Sequence, residues 1–299
     1  MPLRSLLILL TVLLAVTVSG CPSDGQSPPA TLRTSQLDQQ WLDTVVSIER
    51  QPAAGQEVPL GTGFVVASDQ NHLLLVTAKH VIHNQQGQLF TDLVYRLNRA
   101  SGSSQLLKDA DLDRTGGGSW FVSPDQDVAV RFLPFVEGAS VKSIPLDRFV
   151  EEKQVEAGTP IAVLGFPMGL RSTEHARPIA RRGMVARAEP TLVIADVFVY
   201  PGNSGGPVLY VPAFKTGGVS FGGSEVVAHE MLVGVIVSFI PYRDVAISLQ
   251  TNRPRVVFEE NSGLANVVPA WVARDFVTSG AVASFDRQLG VEPRAPKGK

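Results

Sequence analysis

Residues 201–211 read Pro-Gly-Asn-Ser-Gly-Gly-Pro-Val-Leu-Tyr-Val, a serine in a glycine loop that runs straight into an apolar stretch. A serine hydroxyl is a weak nucleophile unless a base takes its proton, and attack on a carbonyl also needs donors for the oxyanion that forms. Glycine at 202 frees the backbone to aim its N–H at that oxyanion, and Gly205 and Gly206 keep side chains away from an incoming backbone. The string therefore fits a nucleophile loop centred on Ser204 better than a plain turn. The residues after it are short, valine-bearing and closed by Pro212, which reads as a strand and not a helix.

Strand signals continue in both directions. MLVGVIVSFI (231–240) follows, and TPIAVLGFP (159–167), RRGMVARA (181–188) and LVIADVFV (192–199) precede. An earlier set comprises TVVSI (44–48), GTGFVVAS (61–68), HLLLVTAKHVI (72–82), LVYRL (93–97) and DVAVRF (127–132). Polar Asp69-Gln70-Asn71 reads as a turn, and the glycine-rich stretch 111–119 as a loop. In the 127–132 run, Val128, Val130 and Phe132 alternate onto one side. Helical periodicity is confined to 269–276, where Trp271, Val272 and Phe276 share a face. This density of strands predicts a closed sandwich or barrel, and no internal repeat is visible.

The 299 residues are 44% hydrophobic and 18% charged, which excludes a disordered chain, a coiled coil and a collagen-like repeat. A net charge of −2 leaves no basic footprint for nucleic acid. A single cysteine rules out an internal disulfide framework. Arg4 and the apolar run from Leu6 to Val18 form the n- and h-regions of a signal peptide, the run being too short to span a bilayer. Val18-Ser19-Gly20-Cys21 resembles a bacterial lipobox, whose cysteine is lipidated and becomes the new N-terminus. Residues 1–20 are thus expected to be a lipoprotein signal peptide, with lipid attachment at Cys21, rather than a plain secretory signal with an incidental cysteine. Residues 21–39, rich in Pro and Ser, read as a tether reaching on the order of 20 Å. The expected location is the bacterial cell envelope, membrane-anchored on the periplasmic or cell-surface side.

Two more motifs carry titratable groups. Val76-Thr77-Ala78-Lys79-His80-Val81-Ile82 sets a histidine just past an apolar strand, and histidine serves as base and then acid near neutral pH. His80 and His83 form an HxxH pair, but no cysteine or third ligand accompanies it, so neither a metal nor another cofactor is expected. Asp127 opens the strand 127–132, where its carboxylate can lie against an imidazole. Asp125 is a rival on the same face of a strand; Asp127 is preferred because it abuts the apolar run.

In the order His80, Asp127, Ser204 the chain resembles the trypsin-like serine peptidases, most closely their bacterial Deg/HtrA-type branch. The resemblance rests on GTGFVV, LLLVTAKHVI, DVAV and PGNSGGPV, with weaker echoes in AVLGFP (162–167) and GLANVVP (263–269), and spans about residues 41–278. It implies an all-β fold of two antiparallel six-stranded barrels, about 40–148 and 158–278 within a domain 40–278, with a short C-terminal helix and a tail at 279–299. His80 and Asp127 would come from the first barrel and Ser204 from the second, with the Gly202 and Ser204 amides as oxyanion hole. Phe198, Ser238 and Ile240 would line the substrate pocket; none is acidic, which points to an apolar residue before the scissile bond. Asn203 stands where secreted trypsins carry an acid, and the chain after Ser279 is too short for a PDZ domain. The implied activity is endopeptidase action on proteins or peptides.

Two other readings compete. Gly202 to Gly206 also fits the G-x-S-x-G elbow of α/β-hydrolases, which needs Ser, acid, His order and a helix after the serine. After Ser204 the only histidine is His229, the only acid between them is Glu225, and a strand follows. The other is a catalytically silent trypsin-fold binding module at the membrane surface.

Overall fold

The computed structural model describes residues 37–290, apart from 53–54, 115–117, 173–174, 213–219, 222–223 and 226–228. The stretch expected to be a signal segment, Cys21, the expected tether up to residue 36 and the last nine residues lie outside the described residues.

The first barrel region contains β1 (Val45–Arg50), β2 (Val58–Ala67), β3 (Leu73–Thr77), β4 (Leu93–Asn98), β5 (Ser104–Lys108), α1 (Asp109–Arg114), β6 (Phe121–Val122), β7 (Ala129–Leu133) and β8 (Ile144–Pro145). The second contains β9 (Pro160–Gly165), β10 (Ile179–Glu189), β11 (Leu192–Asp196), β12 (Pro207–Tyr210), β13 (Ser220–Phe221), β14 (Ser224–Glu225), β15 (Met231–Ile247) and β16 (Pro254–Pro269). Helices α2 (Ala270–Thr278) and α3 (Gly280–Leu289) follow.

The fold is all-β with two strand systems and short C-terminal helices. The second system is a closed six-stranded barrel in the order β10-β11-β16-β15-β12-β9. The first is larger and less regular than six strands: an eight-stranded sheet in the order β5-β4-β1-β2-β3-β7-β6, with β8 added in parallel on β2. Two-residue strands β6 and β8 add pairings too short to be read from sequence.

Burial on both faces explains why β2, β3 and β7 are so apolar, with Arg131 the buried charged exception in β7. Phe64, Val66, Leu74, Val76, Val130 and Phe132 point into a core continuous with the second barrel, while Val65, Leu75 and Ala129 point into the interior of the first. A sheet buried on both faces has no polar side to display. Val128, Val130 and Phe132 do share a side, and it faces that common core. The turn at 69–71 is tight: Asn71 sits at φ 70°, and Ser68 and His72 close it through their backbone groups. Asn tolerates that region better than most residues.

Helix α2 buries Ala270, Trp271, Ala273 and Val277, and Val272 and Phe276 pack half-buried against the same core, so the inward face takes in the Trp271/Val272/Phe276 stripe and is wider than it. Helix α3 falls in the stretch assigned to a tail. It returns to the first barrel, where Phe285 stacks on Phe132 at 5.1 Å and Phe121 at 5.6 Å. Asp286 meets His72 Nδ1 and Ser68 Oγ, each at 2.7 Å.

A buried ionic node joins β1 to the segment after β9. The Glu49 carboxylate is fully buried, accepts two guanidinium bonds from Arg96 at 2.8 and 2.9 Å and one from Ser47 Oγ, and lies 3.6 Å from Arg171. Burial acts against the charged form and is the largest influence. The Arg96 and Ser47 hydrogen bonds and the two cations together outweigh it and hold Glu49 below its ordinary value of 4.5. The folded state thus binds fewer protons than the unfolded one, so this stabilisation is present above pH 4.5 and fades as pH falls through the lowered value. Glu49→Gln is expected to lose about 3 kcal/mol at pH 7, because it takes from the half-buried Arg96 its paired carboxylate and leaves only Glu57, 3.9 Å away. Urea unfolding at pH 7 and at pH 4 should show the gap to wild type narrowing in acid.

Candidate active site

The nucleophile loop is held by its own backbone. Asn203 N–H donates to Tyr200 O at 2.9 Å, and Tyr200 N–H donates to Asn203 Oδ1 at 3.0 Å, closing the 200–203 turn on itself. Gly202 at φ 98° and Gly205 at φ 83° occupy the left-handed side of the map that glycine permits. A Cβ at 202 would lie 2.3 Å from Phe166 O; one at 205 would lie 2.1 Å from both Thr62 O and Thr77 Oγ1. The space left by Gly205 is therefore filled by the first barrel, and that left by Gly206 by Leu164 O. The expectation that these two glycines clear a path for substrate gives way to close packing within the chain.

The orientation of the two amides follows from their carbonyl neighbours. Met168 N–H binds Pro201 O at 2.6 Å, and Gly206 N–H binds Asn203 O at 2.9 Å. In a trans peptide the N–H points opposite to the C=O. The Gly202 and Ser204 N–H groups thus point away from these anchors, and among the described residues neither has a hydrogen-bond acceptor. Met168 adopts φ 55°, ψ 23° to present its amide.

His80 lies in a 3₁₀ turn, Lys79–Val81, directly after β3. Its Nδ1 is 2.7 Å from Asp127 Oδ2, and its backbone N–H donates to Asp127 Oδ1 at 3.0 Å. Asp127 immediately precedes the Val128–β7 segment, which pairs with β3, so strand pairing brings acid and imidazole together. Burial disfavours its charge most strongly. The ring and amide hydrogen bonds from His80, with the charges of His80 and Lys79, more than offset that and lower the Asp127 pKa below its ordinary 3.8. An ionised Asp127 can only accept, so Nδ1 carries a proton towards it, and in the neutral form of the ring Nε2 holds the lone pair. Asp125 is exposed. His83 Nδ1 lies 2.8 Å from Lys79 O, which turns it towards a carbonyl and not towards a site shared with His80.

The Ser204 hydroxyl donates to Val237 O at 2.9 Å and is not hydrogen-bonded to His80. The two segments nevertheless abut: Gly205 packs on Thr77 and Ala78, two residues before His80. Phe198 and Ile240 lie at the irregularity around Ser262–Gly263, and Ser238 lies opposite Asn266 on the same strand pair. Gly263 lies beneath the exposed Phe198 ring, Asn266 Nδ2 donates to Ser238 Oγ at 3.1 Å, and Ser262 Oγ donates to Ile240 O. A separate cavity of about 650 Å³, lined by Arg148, Gln154, Tyr210 and Met231 among others, includes none of the residues above.

Thr62 is the residue that motif reading passed over, although it stands inside GTGFVV. It is fully buried in β2. Its N–H donates to Ser204 O at 2.8 Å, its Oγ1 donates to Gly202 O at 2.6 Å and accepts from Phe166 N–H at 3.1 Å, and its O accepts from Thr77 Oγ1 at 2.7 Å. A hydroxyl flanked by two glycines within an apolar strand was the available signal. Thr62→Val keeps the shape but orphans a buried carbonyl and a buried amide. It is expected to cost about 2 kcal/mol in a denaturant titration, with Thr62→Ser costing less.

An all-antiparallel barrel with β12 directly after the nucleophile loop removes the α/β-hydrolase alternative. No curated relative matches the chain. Solved structures similar to it include human heparin binding protein, at 15% identity over 87% of this chain and 97% of that one, with a TM-score of 0.48. An atomic-resolution structure of HBP matches at 16% identity with the same coverage and TM-score. Comparison with protein families matches residues 61–211, just over half of the sequence and running from β2 through the nucleophile loop to the end of β12, to the trypsin-like peptidase domain. The chain therefore belongs to the trypsin-like peptidase family.

Proposed function

We propose that the chain is a serine endopeptidase in which Ser204 is the nucleophile, His80 the general base and acid, and Asp127 the residue that holds the imidazole. The observation that carries this reading is the two-point grip of the Asp127 carboxylate on the ring and amide of His80. In the proposed reaction the hydroxyl leaves Val237 O by rotation about χ1 and gives its proton to His80 Nε2 as Oγ bonds to the scissile carbonyl carbon. The oxyanion is met by the Gly202 and Ser204 amides. Collapse breaks the C–N bond, and the amine leaves with the proton from His80. Water, deprotonated by the same nitrogen, then cleaves the acyl ester and restores Ser204. Phe198, Ser238 and Ile240 are the proposed pocket residues for an apolar side chain. Proteins or peptides are the substrates.

The lipobox-like string supports a lipoprotein tethered through Cys21 in a bacterial cell envelope, and the Deg/HtrA-like motifs support placement in that branch. One observation favours a catalytically silent binding module instead: the Ser204 hydroxyl rests on a backbone carbonyl rather than on His80. A fluorophosphonate probe separates the two. Labelling that disappears in Ser204→Ala and His80→Ala is expected; no labelling under any condition favours the silent module. Asp127→Asn should lower kcat on a peptide substrate by about 10⁴-fold, with Asp125→Asn near wild type; the reverse order would reassign the acid. Cys21→Ser should move the protein from the membrane to the soluble fraction and abolish labelling by an alkynyl fatty acid.

A further inference from the structure

β15 and β16 do not end with the barrel. β12 pairs with β15 only through Val235, and β11 pairs with β16 only from Leu264 onward. Between these points residues 241–261 form a two-stranded ribbon, pairing Tyr242 with Glu260, Arg243 with Glu259, Asp244 with Phe258, Val245 with Val257 and Ala246 with Val256. Among the described residues neither outer edge of this ribbon has a strand partner. It exposes Tyr242, Val245, Ile247, Val256, Val257 and Phe258. A lone two-stranded ribbon is marginal in water, and a third strand is what normally secures one. An open edge bearing apolar side chains is a template for pairing.

We propose that the outer edge of β16 at residues 255–259 pairs antiparallel with the same edge of a second copy of the chain, about a two-fold axis at Val257. The segment reads Arg255-Val256-Val257-Phe258-Glu259, and its charges are arranged for this partner. Antiparallel pairing centred on Val257 sets Arg255 opposite the partner's Glu259, Val256 opposite the partner's Phe258, and Val257 opposite the partner's Val257. Every contact off the axis occurs twice, and Val257 meets its own copy on the axis, as an isologous interface requires. Parallel pairing in register would instead oppose Arg255 to Arg255 and Glu259 to Glu259, so the charges select one arrangement. Glu259 already accepts from Arg243 Nε at 3.0 Å, and the added cation extends this into an alternating row across three strands. Each edge of the ribbon is bounded by a proline without an N–H, Pro241 on β15 and Pro254 on β16, and the run 255–259 lies clear of both. Pairing through β16 leaves the β15 edge, which runs out from Val237 beside Ser204, uncovered.

The test is oxidative cross-linking of the full chain with copper phenanthroline. Opposed Cβ atoms in an antiparallel pair lie about 4.5–5.5 Å apart, near disulfide range. Val257→Cys should give a covalent dimer, whereas Leu249→Cys at the exposed ribbon tip and the wild type, which share the native Cys21, should not. In sedimentation equilibrium Arg255→Glu should raise the dimer dissociation constant about tenfold, since two like-charge pairs are created, and Arg255→Glu with Glu259→Arg should recover most of that loss. A monomer throughout the micromolar range, cross-linking equal at 249 and 257, or a dimer indifferent to Arg255→Glu would overturn the proposal. So would a monomer that binds phosphatidylglycerol vesicles and loses that binding with Val257→Asp, which would make the ribbon a lipid contact instead.

Discussion

One buried threonine joins the two halves of this protein at the place where its chemistry is assembled. Thr62 belongs to the first barrel region, but three of its four backbone and hydroxyl hydrogen bonds reach the second: to Ser204 O, Gly202 O and Phe166 N–H. The fourth turns back to Thr77, on the strand that delivers His80. In a water-free site every one of these groups would be costly to leave unpaired. The threonine, Gly61 before it and the glycines of the nucleophile loop therefore form a single constraint: two backbones can approach this closely only where no side chains intervene.

From that constraint the rest of the site follows in order. The loop around Ser204 is pinned from one side by Thr62 and from the other by Met168, whose amide takes the Pro201 carbonyl. With those carbonyls occupied, the Gly202 and Ser204 amides are left without acceptors, a local polarity that is tolerable only beside water or an anion. Asn203 closes its own turn with Tyr200, so the loop is ordered by groups close at hand in sequence. On the opposite wall, pairing of β3 with β7 brings His80 and Asp127 together. Asp127 keeps its charge although partly buried because two N–H groups of one residue point at it. The site is thus built from short segments that adjoin strands: His80 follows β3, Asp127 precedes β7 and Ser204 precedes β12.

Legibility varied with the range of the interaction that made each feature. The PGNSGGPV string, the alternation of Val128, Val130 and Phe132, and the turn at 69–71 are local patterns, and each has its counterpart in the fold. Asp127 could be preferred over Asp125 because it adjoins the apolar run, and it is Asp127 that meets His80. Less visible were β16, whose 16 residues mix Arg, Glu and Asn among valines, and α3, whose sequence GAVASFDRQL carries weak periodicity. Both gain their partners from elsewhere: β16 from β11 and β15, α3 from Phe121, Phe132 and His72. Gly205 and Gly206 were legible as glycines that make room, but the atoms that come nearest in that room, on Thr62, Thr77 and Leu164, belong to distant strands.

The sequence by itself determined that this chain would be built of strands, that a glycine-cradled serine would precede one of them, and that its family resemblance was to trypsin-like peptidases, because alternation and glycine placement are properties of consecutive residues. Tertiary structure alone decided that Thr62 would clasp the nucleophile loop, that the Ser204 hydroxyl would rest on Val237, that Glu49 would be enclosed by two arginines, and that residues 241–261 would stand clear of the barrel with open edges. Each of these depends on which backbone lies alongside, and closeness in space between segments separated along the chain leaves no periodic trace in the sequence.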